Sequence, residues 1–474
     1  MVLLHGHIEC GNGPYYRMSM AWWPRSGPPG RMAADSLAES DSDQRKTANP
    51  IARLRPAPAA APSPMSTVNT SSRAIPPLST LLAAPHRGMF LIGALALLAN
   101  MIWWTWALVA AWQGLPFPRQ AMPSMWAHGF LMQYATLAPF VFGFLLTVFP
   151  RWMSLPDVPR RVYATVFALV LGGGILVLAA QSGVPMLLPA GLLAMLSGWL
   201  VAMTSLGARL RANGGRDRWA VSAFAALAFG ALGLALALGY ACGGSPNLMQ
   251  AAISIGTFGL LVPVYFTVAH RMVPFFSNNV VPGYRVVRPL GSLAGVWVLV
   301  LAHLAFDLAG AARWRWLADL PLAALLGWQW IAWQPWKARK PGLLAVLYIA
   351  LAWLPLSFAL FAADSLTLFV HGASGWARAP LHALTIGFLA SMLVAMVTRV
   401  THGHSGRPLT MGPIPWLAFV GMQLAAMVRV LADAAERPWP LYVLAAALWL
   451  LALAPWVVRA AWIYLTPRRD GKPG

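Results

Sequence analysis

Ten histidines, two cysteines and thirteen acidic residues set the chemistry open to this chain. Five of the acids, Glu9, Asp35, Glu39, Asp41 and Asp43, precede residue 64, and Glu436 is the only later Glu, which argues against a carboxylate-rich metal cage. Cys10 and Cys242 stand far apart, so neither a disulfide framework nor a thiolate zinc or iron–sulfur site is expected. A transition metal would rest on imidazole, with methionine as a soft supplement. His128 and His382 each sit three or four residues into an apolar segment, and the two segments run in the same direction. The two residues therefore share a depth and could ligate one iron from two sides, as imidazoles do for a haem held between helices. His303 and His371 fall at the same face. His86, His270, His402 and His404 fall at the other. His382 and His402 are twenty residues apart, on the order of 30 Å along a helix, so they cannot share one ion. Met132, Met392 and Met396 are candidate thioether ligands for Cu(I). Each of these residues also has an ordinary reading, as an interfacial histidine or a packing methionine.

A second constellation lies in TRVTHGHSGRPL, where Arg399, His402, His404 and Arg407 fall within nine residues, with His270 and Arg271 closing another apolar segment. Gly403, Gly406 and Pro408 predict a tight turn in which guanidinium forks and backbone N–H groups converge on an anion such as a haem propionate. Simple anchoring of the chain at a membrane face is the alternative for Arg399 and Arg407.

The elements that must position these residues follow from composition. Hydrophobic residues make up 59% of the chain, charged residues 10%, and the mean hydropathy is +0.62, a balance that no water-soluble core of this size requires. Twelve apolar stretches long enough to cross a bilayer span approximately 88–112, 125–149, 162–181, 184–206, 219–241, 247–270, 287–308, 316–335, 342–363, 378–399, 414–435 and 439–463. Lipid cannot satisfy exposed backbone groups and these runs lack strand alternation, so the expected fold is an all-α, polytopic transmembrane helical bundle of about twelve helices. Lys and Arg concentrate in alternate loops, at Arg151, Arg160, Arg161, Arg209, Arg211, Arg216, Arg218, Arg271, Arg285, Arg288, Lys337, Arg339, Lys340, Arg399 and Arg407. The other set holds only Arg119, Arg313, Arg315, Arg378 and Arg437, which predicts that both the N and C termini are cytoplasmic. The net charge of +21 is thus read as topology and not as a nucleic-acid surface. Residues 1–85 form a basic Pro/Ala/Ser-rich tail expected to be disordered, with no secretory signal, and Met65 is an alternative start. The transmembrane domain is expected over 86–466 and a basic tail over 467–474. No internal repeat is evident by eye.

Two segments carry a family resemblance. HALTIGFLASMLVAMVTRVTHGHSGRPL, from His382 to Leu409, and AHGFLMQYATLAPFVFGFLLTVFPRWM, from Ala127 to Met153, resemble the NnrS family. Arg271, Pro274, Phe275, Phe276 and Asn279 are similar to that family's Arg-x-x-Pro-Phe-Phe pattern. The likeness in kind runs from about residue 80 to the C-terminus. Many members have His-x-His-Glu-Met where this chain has Trp126, Ala127, His128, Gly129 and Phe130, so one His and the Glu are absent. The resemblance implies a multi-pass protein of the bacterial inner (cytoplasmic) membrane that holds haem, expected to be of b type, with copper as a second cofactor. It implies a link to nitric oxide or nitrosative stress, with no reaction assigned.

The leading expectation is an NnrS-like haem protein whose partners are the lipid bilayer, haem and nitric oxide or a related small molecule. Its expected cofactor-binding residues are His128, His382, Arg271, Arg399 and Arg407. Candidate metal ligands are His128, His382, His303, His371, His402 and His404. The alternative is a secondary transporter with twelve helices, against which stands the scarcity of mid-membrane Asp, Glu, Lys and Arg. A haem–copper oxidase subunit is weaker still, because the histidines are divided between two faces.

Overall fold

The computed structural model describes residues 77–376 and 378–470; the expected tail up to residue 76 and the last four residues lie outside these. Among the described residues there are helices and no strands. After a helical turn at Pro77–Leu81, twelve long helices follow. We label them α1 (Pro85–Gln113), α2 (Ser124–Trp152), α3 (Arg160–Ala180), α4 (Pro185–Ala212), α5 (Arg218–Ala241) and α6 (Pro246–Val280). The rest are α7 (Leu290–Leu308), α8 (Trp316–Ala332), α9 (Gly342–His371), α10 (Ala379–His404), α11 (Pro413–Ala432) and α12 (Trp439–Leu465).

Eleven of these are long and apolar enough to cross a membrane by length and composition. The remaining one, α8, has 17 residues, which at 1.5 Å each span about 25 Å. Parity shows that it crosses as well. Arg87, at the start of α1, donates through its guanidinium to the carbonyls of Ile463, Tyr464 and Thr466 at the end of α12. The first and last helices therefore meet at one end of the bundle, which an odd number of crossings would forbid. Leu451, Val458, Val298 and Ile102, all more than half exposed, belong to an apolar outer surface that only a hydrocarbon solvent covers without penalty.

The order of packing repeats every four helices. α1 packs on α2, α5 on α6 and α9 on α10; α3 pairs with α4, α7 with α8 and α11 with α12. α4 meets α5, α8 meets α9, and α12 meets α1, which closes the ring. The second helix of each quartet is the inner one: 83% of the apolar window of α2 is buried, and 72% of those of α6 and α10. A threefold arrangement thus exists where the sequence shows no evident repeat.

The inner helices share a further feature, a π-helical segment in each: Leu131–Leu137, Ile255–Leu261 and Ala383–Ala390. Pro139 and Pro263 begin the α-helix just past two of these, and a proline ring excludes the carbonyl one turn earlier, which favours the wider winding. Carbonyls displaced by that winding find side-chain donors. Gln133 donates to Ile253 O at 3.0 Å and Tyr134 to Ala252 O at 2.8 Å, so the π segment of α2 fastens onto the approach to that of α6.

Three of the boundaries that differ from expectation bear on candidate residues, each by extension. α6 continues to Val280, so His270, Arg271 and Pro274 lie inside the helix and do not close it. α10 continues to His404, so Arg399 and His402 are helical, and the turn follows at Gly406 with φ 67°. α9 runs to His371 and ends on Gly372 in the left-handed region, so His371 ends a helix and does not stand in a loop. Before α1, Pro77–Leu81 packs on α12, so helical structure starts earlier than residue 86.

The outer hairpins depend on small residues. A Cβ on Gly173 of α3 would lie 2.7 Å from Gly191 O of α4, and one on Gly421 of α11 would lie 2.3 Å from the Ala452 Cβ of α12. Van der Waals contact at such interfaces requires this closeness. Gly421→Val is therefore expected to destabilise the protein by about 1–3 kcal/mol through overpacking. Thermal unfolding in detergent measures this, and an unchanged midpoint would contradict the close approach of α11 and α12.

Candidate functional site

His128 and His382 occupy the first turns of α2 and α10, helices that run in the same direction at the centre of the bundle. The His128 ring stacks on Trp104 of α1 with centroids 4.3 Å apart and planes 11° from parallel. Its Nδ1 is buried without a partner. His382 Nδ1 lies 3.0 Å from Arg378 O, and because a carbonyl only accepts, this nitrogen carries the proton. That leaves Nε2 with its lone pair, the arrangement of a metal-ligating histidine oriented by an outer hydrogen bond. Neither Nε2 has a protein partner among the described residues. Each imidazole lies within electrostatic range of Arg429 of α11, and His382 within range of His128. Arg429 is itself held by Asp433 at 2.7 Å and stands over the Tyr442 ring at 4.2 Å.

A third histidine at this end is engaged differently. His303 of α7 and Asp319 of α8 are both fully buried, with Nδ1 and Oδ1 2.6 Å apart. His303 Nε2 has no partner and faces aromatic rings, Phe258 at 4.0 Å and Phe361 at 5.1 Å between centroids. Nearby, Arg315 binds Asp307 at 3.3 Å and Asp364 at 3.5 Å. Asp307, Asp319 and Asp364 thus gather toward one end of α7, α8 and α9. His371 is exposed and joins none of these groups.

The remaining expected residues lie at the opposite end. Arg271 is accounted for within the protein: it reaches Asp217 at 2.7 Å and lies between Trp152 and Trp219, 4.5 and 5.0 Å from their ring centroids. Arg399 is 8% exposed and stands 3.9 Å over the Phe276 ring, with no carboxylate partner among the described residues. Arg407 stands over Trp462 at 5.2 Å and one of its terminal nitrogens is buried without an acceptor. Burial lowers the Arg407 pKa, and the nearby Arg469 and Arg459 lower it further. His402 and His404, two residues apart, point to different neighbours. His402 Nε2 is 3.3 Å from Arg459, while the His404 ring lies 4.5 Å from that of His86.

The structure therefore divides the expected cofactor residues. From His382 to Arg399 is about 25 Å along α10, too far for one haem to engage both. The guanidinium beside the histidine pair is Arg429, which the sequence reading passed over although a lone Arg four residues before Asp433 in an apolar run was a signal. Among the described residues no three of His, Cys, Asp and Glu gather around one point. Met392 and Met396 sit about 15 Å or more from His382 along α10.

The buried His303–Asp319 pair yields a stability prediction. Asp319→Ala leaves His303 unpaired in a low-dielectric site and is expected to cost roughly 3–5 kcal/mol. Replacing both, as His303→Phe with Asp319→Leu, is expected to recover most of that loss. Thermal melts of the three proteins decide, and a double variant no more stable than the single one would show that the pair is not the unit.

No curated protein matches the chain. The family model described as NnrS protein matches residues 80–468, a stretch that takes in all twelve helices. By that match the chain belongs to the NnrS family.

Proposed function

We propose that this protein is an inner-membrane haem protein of the bacterial response to nitric oxide, in which His128 and His382 hold a b-type haem between α2 and α10. The observation that carries the reading is the pair itself: two imidazoles at one depth on parallel inner helices, each with Nε2 unengaged, and one with its tautomer set by Arg378 O. A buried imidazole nitrogen without a partner, as His128 Nδ1 is, is costly unless something binds it.

Arg429, within electrostatic range of both rings, would offer positive charge to the carboxylates of a bound haem, whereas Arg271, Arg399 and Arg407 stand at the other end of the bundle. Trp104 fixes the plane of His128 by stacking. His128 and His382 would hold haem there, which would supply one-electron redox chemistry between the inner helices. Cytoplasmic termini complete the reading: the end bearing Arg87, Arg399 and Arg407 would face the cytoplasm under the positive-inside rule.

Purified wild type is expected to show the optical spectrum of a six-coordinate, low-spin haem. His128→Ala and His382→Ala are each expected to abolish that spectrum with the fold retained, as monitored by circular dichroism. Arg429→Leu is expected to weaken haem retention without removing the low-spin signature. Unchanged haem content in either histidine variant would remove that residue from the site.

A further inference from the structure

We infer that His303 and Asp319 form a binding site for one exchangeable proton, filled from the end of the bundle where α7, α8 and α9 gather their carboxylates. Both side chains are fully buried, with Nδ1 and Oδ1 2.6 Å apart. A carboxylate only accepts, so Nδ1 carries a proton and Nε2 keeps its lone pair. That Nε2 and the second carboxylate oxygen, Oδ2, are both buried without a partner. In this state the pair is an anion among apolar side chains. One proton added at Nε2 makes it neutral overall, while Nδ1–H stays donated to Asp319.

The surroundings are short of positive charge. Asp307 stands one turn along α7 from His303, and Arg315 one turn along α8 from Asp319, so the four residues pair across the two helices in two layers. From α9, Asp364 comes within 3.5 Å of Arg315. Three carboxylates thus share one guanidinium. At this end α6 carries no charged residue, and Arg313 and His371 are exposed. A buried group of charges that is negative overall is costly, and a proton on His303 places the compensating charge beside Asp319. Phe258 and Phe361, 4.0 and 5.1 Å from the imidazole between centroids, lie close enough to support the cation.

The layer nearer the membrane face connects the pair to water. The Asp307 side chain is 27% exposed and accepts from Ser254 at 2.6 Å, and the exposed Ser374 donates to Asp364. Arg315 Nε and Asp319 Oδ2, a donor and an acceptor one turn apart on α8, are both buried without a partner, a pairing that a passing water completes. Phe361 stands at the step between the layers: its ring centroid is 5.7 Å from the Arg315 guanidinium carbon and 5.1 Å from the His303 ring. A proton needs only the one lone pair that His303 offers. A metal ion needs more ligands, and among the described residues no third His, Cys, Asp or Glu joins the pair.

Infrared difference spectroscopy of the full chain in nanodiscs tests the site. Between alkaline and acidic buffer the wild type is expected to show an imidazole-to-imidazolium component that is missing from His303→Phe with Asp319→Leu, whose fold circular dichroism checks. Asp319→Asn keeps a hydrogen-bond acceptor and removes the charge, and is expected to bind the proton roughly tenfold or more weakly. Exchange of deuterium into the pair is expected to slow in Asp307→Asn with Asp364→Asn and to quicken in Phe361→Leu. The pair makes no use of haem, so haem-free His382→Ala is expected to give the same imidazolium component. A pH difference unchanged by the double variant, or a proton affinity unmoved by Asp319→Asn, would overturn the site. The same spectral change produced by sodium or potassium at constant pH would assign it to a metal cation and overturn it equally. Deuterium exchange indifferent to all three outer substitutions would overturn the route.

Discussion

Lipid offers no hydrogen bonds, and the rest of this structure follows from how the backbone meets that constraint. Twelve helices satisfy most of their polar groups internally. The three inner helices depart from regular winding, and the departure is tolerated because each is shielded by its neighbours and because side chains meet the displaced carbonyls. Gln133 and Tyr134 serve α6 in this way, and Ser391 donates to Ile386 O within α10. Irregular backbone therefore occurs only where protein, and not lipid, surrounds it. His128 and His382 stand just before two of these segments.

Burial explains why the two ends of the bundle differ in character. At the end of α1 and α12, guanidinium groups are placed against carbonyls, tryptophans and a few carboxylates: Arg87 on the close of α12, Arg271 between Trp152 and Trp219, Arg407 over Trp462. At the other end, carboxylates and imidazoles enter the helices themselves, as Asp319, Asp364, His303 and His382 do. Aromatic rings lie against Arg271, Arg407 and His303, in a medium where an interaction is stronger and an unmet group more costly. That asymmetry is what concentrates the candidate chemistry at the end holding His128 and His382.

Much of the architecture was legible in the sequence because hydrophobic length alone identifies a membrane helix. Even α8, the shortest, was marked by its apolar run, and the equal depth of His128 and His382 followed from counting residues along two helices. What could not be counted was lateral. Arg429 reaches the pair from α11, Trp104 from α1, and Asp319 meets His303 from the next helix, contacts that depend on rotation and packing. Helix ends were also short in the reading of α6, α9 and α10, since α-helix continues past the apolar stretch wherever polar residues such as Asn278, His404 and Ser365 still suit it. The π segments left only their prolines as a trace, and the threefold order left none, because packing repeats here without repeated words in the sequence.

The period of four helices has an architectural consequence. An even number returns the chain to the side on which it began, so each quartet enters the membrane in the same sense as the last. Copies of such a unit could be strung together by gene duplication with no need to invert one of them. The third quartet brings α12 against α1, where Arg87 clasps the close of α12. Among the described residues, the third quartet is thus the one that closes the ring.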